Sequence, residues 1–356
     1  MDISKRYLTL QSVALPLIAL AGGTAFFYFA APIVIPIIIS ISLAYVLSPL
    51  VTQLNRLKFP HTLSVTVVLL VSLSILGLLG YILVLQANNF LVELPDYWNN
   101  FLKFLNDLKL KLSALGFKET PLLSSLEKFD ISTLNLKDFS SAGKFLAKGL
   151  TSVISLLLGG FLIFFLTFFI LHDQKNLHQR LVRALGTSDE KVSKNILSEI
   201  NSQIKSFILV KFLITVVLTI VFTVGLLIIG VDYAYIWGPL AAILNLIPFI
   251  GAVLGIIPPA LVALIQYDSF WMVAVVVLFF VVVQTLESNI ITPKLLADKV
   301  NLNPLAILIV SMYWGWLWGA IGVILAVPIT ACFKVICDHI ESLQPIGILF
   351  GGKSKM

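Results

Sequence analysis

Long apolar stretches, each about as long as a bilayer is thick, dominate this sequence. A helix needs roughly 20 apolar residues to cross the hydrocarbon core. Residues 8–29, 33–51, 62–86, 150–171 and 207–230 each approach or exceed that length. Lipid offers backbone N–H and C=O groups no hydrogen-bond partner, so a chain of such runs must fold as helices that satisfy themselves. Composition agrees: 59% of residues are hydrophobic, and only 12% are charged. A soluble domain carries about 25% charged residues. A water-soluble globule, a disordered chain and a nucleic-acid binder are therefore excluded.

The charges that remain are clustered. Residues 88–148 hold 15 of them and residues 172–206 hold 10, leaving 17 for the rest of the chain. Two wet segments thus interrupt the apolar runs. The sequence predicts N-terminal spans over 1–87 (three helices), an extracytoplasmic amphipathic segment over 88–148, and a fourth span over 149–171. A cytoplasmic helical segment over 172–206, a C-terminal half over 207–338 and a cytoplasmic tail over 339–356 follow. The run from Leu8 is too long for a cleavable signal peptide and leads straight into the next. Lys5/Arg6 and Arg56/Lys58 anchor short loops to the cytoplasm by the positive-inside rule, and the basic residues of 172–206 agree. Both chain ends are expected there. In the wet segments, Phe101, Leu105, Leu108 and Leu112, and likewise Val192, Ile196, Ile200 and Ile204, recur at helical spacing. Such faces serve either packing or partner binding.

The last third reads differently. Residues 238–259 contain seven Gly or Pro and residues 303–328 contain five, whereas 270–291 between them contains none. Stretches 237–265 and 303–329 are too long for one crossing and too short for two. Each fits a helical hairpin, the first turning at Pro248–Gly251 and the second at Trp314–Gly319. The fold class expected is all-α and polytopic, with about six spanning helices plus two Pro/Gly-broken hairpins; the alternative is eight crossing helices. Re-entrant hairpins keep Lys294 and Lys299 on the cytoplasmic side. Pro239-Leu-Ala-Ala resembles Pro304-Leu-Ala-Ile, and Gly251-Ala252 echoes Gly319-Ala320. That suggests an inverted repeat in the C-terminal half, an architecture of secondary transporters that hold substrate near the midplane.

Polar groups at membrane depth point to function, because they are costly there. Glu287 lies in an apolar span beside Gln284 and Asn289, just before Pro293. It is either a coupling-ion, proton or substrate site, or an interfacial carboxylate paired with Lys294. Lys211 is expected to snorkel out of the fifth span. Asn245 either binds substrate or satisfies the carbonyl that Pro248 frees. Trp314, Trp316 and Trp318 form a pocket wall or an interfacial belt. Residues 347–354 match a phosphate loop literally, but no helix can follow them, so no nucleotide site is expected. The four histidines and two cysteines show no metal or disulfide spacing. No cofactor is implied, and no catalytic constellation suggests an enzyme.

Asn245-Leu-Ile-Pro-Phe-Ile-Gly251, Glu287-Ser-Asn-Ile-Ile-Thr-Pro-Lys294, Asn303-Pro-Leu305, Trp318-Gly-Ala-Ile-Gly322 and Ala326-Val-Pro328 together resemble the autoinducer-2 exporter family of permeases. The resemblance covers almost the whole chain. It implies an inner-membrane permease that assembles as a homo-oligomer, a pentamer, and it maps the family's motif residues onto Asn245, Pro248, Phe249, Gly251, Glu287, Asn289, Pro293, Pro304 and Gly319. Ser288 stands where relatives often have Gly, and the tryptophan-rich turn is heavier. Both departures bear on the cargo more than on the fold. The leading expectation is a secondary transporter exporting a small polar organic solute, like autoinducer-2, across the lipid bilayer. Its contacts would come from the motif residues with Gln284 and Trp316, and H⁺ or Na⁺ would serve as coupling ion. The alternatives are a Na⁺(cation)/H⁺ antiporter and a membrane scaffold that recruits partners through its wet helices.

Overall fold

The computed structural model describes residues 3–114, 159–174, 176–177, 180, 190–296, 302–340 and 343–351. These are helical almost throughout; the only bridge among them is an isolated antiparallel pair, Leu302 with Gly351. The helices are α1 (Ile3–Arg56), α2 (His61–Ala114), α3 (Gly159–His172), α4 (Glu190–Ile229), α5 (Ala234–Leu244), α6 (Ile250–Tyr267) and α7 (Phe270–Leu286). A π-helical turn (Glu287–Ile291), α8 (Thr292–Leu296), α9 (Pro304–His339) and α10 (Gln344–Phe350) follow. Among the described residues, six helices contain stretches long and apolar enough to cross a membrane. Their apolar windows are mostly unburied, only 11% in α2, as expected of surfaces that face lipid; the α9 window, 50% buried, is the interior one. The protein is an all-α polytopic membrane protein.

Several expected boundaries fall inside single helices. Separate spans over 8–29 and 33–51 are replaced by the continuous α1, which passes through Pro32 and Pro36. A turn there would strand backbone groups among apolar residues, whereas a proline in a helix costs about one hydrogen bond. One helix also places its two ends apart: 54 residues at about 1.5 Å each span about 81 Å. The basic pairs at 5–6 and 56–58 therefore lie at opposite ends of one helix. Likewise α2 runs across the expected boundary at 87/88, through Pro95, and α4 runs across that at 206/207. Residues 115–158, most of the outer wet segment and the start of the fourth span, lie outside the described residues.

The chain divides into two compact units. The first comprises Met1–Leu69, Phe161–Val210 and Leu296–Met356, and the second comprises Leu70–Gly160 and Lys211–Leu295. In the first, Leu47 and Val51 of α1 pack on Val65, Val68 and Leu69 of α2 and on Leu171 of α3. Small polar residues let these helices approach closely. Ser40 Oγ bonds Pro36 O at 2.7 Å and reaches Ile163 O at 3.2 Å, and Thr167 Oγ1 donates to Ile163 O. Trp314 and Trp318 of α9 pack against Phe27, Ala31, Val34 and Ile38 of α1, and Trp318 Nε1 donates to Phe27 O at 3.0 Å. These two tryptophans are packing residues; Trp316 points outward, 72% exposed.

The helix α9 is itself a hairpin. Gly319 has φ 65° and ψ −146°, a conformation open to glycine, and the chain reverses there. A Cβ on Gly322 would stand 1.9 Å from the carbonyl oxygen of Trp314, so the two legs touch. The leg ends are tied together through α10. The Asn303 side chain accepts from Ala306 N–H at the helix start, and its amide donates to Leu349 O at 2.9 Å. Gly347 of α10 in turn rests on Asp338, which pairs with Lys334 in the second leg. The segment expected as a tail, 339–356, contains the docked helix α10, and this helix stands where a phosphate loop needs a strand.

In the second unit, α5 and α6 form the other hairpin, turning at 245–249. Leu244 O, deprived of its donor by Pro248, accepts from Ile247 N–H at 2.9 Å. A Cβ on Gly251 would lie 1.8 Å from that oxygen. Phe249 closes the turn at φ 64° and ψ −47°, a strained conformation for a bulky residue. The open end of this hairpin is closed by Gln266, which donates to Gly230 O at 2.9 Å and accepts from Asp232 N–H at 3.0 Å. Tyr267 OH adds a bond to Gly230 O at 2.8 Å.

Gly251→Ala and Gly322→Ala should each lower the melting temperature of the purified protein in detergent, by an overpacking cost of about 1–3 kcal/mol or more. Gly22→Ala and Gly77→Ala, which meet nothing within 4 Å, should leave it unchanged.

Candidate functional site

The helix from Phe270 changes pitch where its apolar run ends. Pro293 has no N–H to return to Asn289, and the β-branched residues Ile290, Ile291 and Thr292 crowd the preceding turn. The result is the π turn, in which Thr292 N–H reaches Glu287 O. Single π turns concentrate at functional sites. This one carries Glu287, which is 4% exposed.

Three side chains hold that carboxylate. Gln284 Nε2 donates to Oε2 at 3.2 Å, Thr292 Oγ1 donates to Oε1 at 2.5 Å, and Lys211 Nζ lies 3.7 Å from Oε1. Lys211 therefore does not simply snorkel away, and Glu287 pairs with it and not with Lys294. A charged pair offsets much of the cost of a lone charge at such a place, though removing one partner strands the other. The sequence placed Gln284 and Glu287 on one face, and the structure joins them. Lys211 was visible as a cation in an apolar run, but its partner lies on another helix, which no local spacing reveals. Thr292 was missed because a five-residue separation puts two side chains together only in a π turn.

The other expected site residues are placed as follows. Asn289 is exposed and donates to Thr285 O at 3.1 Å. Asn245 caps α5 through its backbone N–H; since Ile247 satisfies Leu244 O, the amide of Asn245 is not spent on the carbonyl freed by Pro248. Phe249, at the hairpin tip, is 59% exposed. Pro304 occupies the first turn of α9, where a missing N–H costs nothing. The two hairpins belong to different units: Asn245, Pro248, Phe249, Gly251, Gln284, Glu287, Asn289 and Pro293 lie in the second, and Pro304, Trp316 and Gly319 in the first.

Cavities also lie elsewhere among the described residues. One, of about 280 Å³, is polar and lined by Asn55, His61, His172 and Asp173 in the first unit. There His61 stacks on His172 with centroids 5.7 Å apart, a pairing of residues 111 positions apart that the sequence concealed. Another, of about 250 Å³, is aromatic, between Phe90, Tyr97 and Phe101 of α2 and Trp237 and Pro258 of the first hairpin. Tyr97 OH donates to Asp232 at its rim, at 2.6 Å. Among the described residues no group of three or more His, Cys, Asp or Glu could hold a metal ion.

The family model for AI-2E family transporters matches residues 17–342. The chain belongs to the AI-2E transporter family. Among its relatives, the AI-2 transport protein TqsA of Escherichia coli is 26% identical over 330 residues, which cover 92% of each chain. A candidate transport protein of Borreliella burgdorferi is 27% identical over 319 residues, covering 89% of this chain and 84% of its own. The candidate permease PerM of E. coli is 27% identical over 346 residues, covering 93% and 94%. Membership in this family makes the protein a membrane transporter, as the sequence motifs implied.

Lys211→Met alone should destabilise the protein by about 3–5 kcal/mol, because it leaves a buried carboxylate without its counter-charge. Glu287→Gln should cost less, since the amide oxygen still accepts from Thr292. Combining the two should recover most of the loss. Thermal unfolding of the three variants in one detergent checks the order.

Proposed function

We propose that this protein is a secondary transporter of the bacterial inner membrane that exports a small polar organic solute, of the kind TqsA's description names. The observation that carries this reading is the buried Glu287 at a π turn, charge-paired to Lys211 on a second helix. A titratable pair inside apolar helices is expensive to keep and suits ion or solute coupling. The polar groups of Asn245, Gln284 and Asn289, with the backbone opened at Pro248, offer further contacts. On this reading the two hairpins re-enter the membrane as an inverted repeat, with Trp316, Pro304 and Gly319 in the second. The side bearing Arg56, Lys58 and the C-terminus is cytoplasmic, and the protein works as a homo-oligomer. The clasp at Gln266 supports re-entrance, because it holds both ends of the first hairpin together. The same is true of Asn303 and α10 for the second.

Proteoliposomes loaded with autoinducer-2 test the function. Wild-type protein should release it, and Glu287→Gln, Asn245→Ala and Asn289→Ala should each slow release, Glu287→Gln at least tenfold. Unchanged release from all three, at equal protein content, would overturn the site. Re-entrance is tested by single cysteines placed at Asp232 and at Asp268 after Cys332 and Cys337 are replaced by Ala. Both should react with an impermeant maleimide from the same side; labelling from opposite sides would mean that 234–267 crosses.

A further inference from the structure

Among the described residues both oxygens of Glu287 are hydrogen-bonded, whereas the ammonium opposite makes no hydrogen bond. Both carboxylate oxygens of Glu287 accept a hydrogen bond, from Gln284 and from Thr292. Lys211 keeps its side chain 26% exposed and stands 3.7 Å from Glu287 Oε1, beyond hydrogen-bond reach. An ammonium carries three donors. Among the described residues none of those of Lys211 is taken by a hydrogen bond, although the residue lies in an apolar helix. A partly desolvated ammonium with free donors recognises an oxyanion, by charge-assisted bonds stronger than neutral ones.

Resting on the carrier reading above, we propose that Lys211 binds the anionic group of the transported solute and that Glu287 takes up one proton when it does. Charge balance is the reason. The empty site holds one ammonium and one carboxylate and is neutral. An added anion would leave a net negative charge among apolar helices. A proton from water on Glu287 restores neutrality, and the carboxyl can then donate to the anion or to a neighbouring carbonyl. Empty and loaded sites thus carry the same net charge, so either can move through lipid-facing surroundings at similar cost. The charged group that faces Glu287 is Lys211 on α4; its own helix contributes the uncharged Gln284, and α8 the uncharged Thr292. The two binding events are reciprocal. Anion affinity therefore falls about tenfold per pH unit towards alkaline pH, because one proton accompanies each anion.

Acetate, the smallest organic carboxylate, is the probe. It is added to the purified full-length protein in detergent, in weakly buffered solution with a pH indicator. Wild type should take up one proton per chain at saturation, with acetate affinity dropping about tenfold per pH unit on the alkaline side. Glu287→Gln, a mimic of the protonated acid, should bind acetate with no proton uptake and no dependence on pH. Lys211→Met should not bind it. Should Lys211→Met fail to elute as a folded species, the double variant with Glu287→Gln, which leaves no orphaned carboxylate, takes its place. The proposal is overturned by wild type that takes up no protons, by uptake that survives in Glu287→Gln, or by acetate binding that survives without Lys211. This assay reads equilibrium binding. Solute release without proton uptake would sink the proposal and leave the carrier standing; proton uptake without release would sink the carrier, and with it the role in transport, and leave only the coupled binding of anion and proton.

Discussion

Every backbone group at membrane depth needs a partner from the protein itself, and the breaks in these helices are shaped by that demand. At Pro248 the freed carbonyl of Leu244 is taken by Ile247 N–H one residue early, which tightens the chain into a reversal. At Pro293 the helix widens by one residue instead, and Thr292 N–H bonds back to Glu287 O. At Gly319 the chain reverses through a conformation that glycine adopts without strain. At Pro32 and Pro36 the surroundings are continuous helix, and the chain passes through. One residue type therefore has different outcomes, set by whether the freed groups find a donor nearby and whether a glycine follows.

The hairpins share a second device. Each is shut at its open end by a neutral side-chain amide that donates and accepts at once, Gln266 in the second unit and Asn303 in the first. Each turn is packed so that a glycine Cβ has no room, Gly251 against Leu244 and Gly322 against Trp314. In both, a short rigid element is fixed at tip and base by backbone-level contacts.

Fold class and both hairpins were legible in the sequence, because Pro and Gly density at awkward lengths is a local signal. Helix boundaries were not. The change from apolar to charged residues at 87/88 and at 206/207 marks where water begins, not where a helix ends, and α2 and α4 run through both points. Of the site, Glu287 was found by the rarity of charge in apolar spans, and Gln284 by helical spacing. Lys211 was seen and misassigned, since its partner is 76 positions away. The pairing of His61 with His172 had no signature, because its two residues sit at the ends of different helices. Gln266 and Asn303 look like ordinary polar residues at helix ends until their partners are known.

The clasps and the ionic pair respond to different things. An amide holding two backbone groups has no proton to gain or lose between pH 4 and 10 and is little affected by salt. The pair at Glu287 and Lys211 is held by opposite charges 3.7 Å apart. The protein thus builds its hairpin clasps and its ionic contact from separate chemistries, so that a change of charge at Glu287 or Lys211 leaves the amide bonds of Gln266 and Asn303 in place.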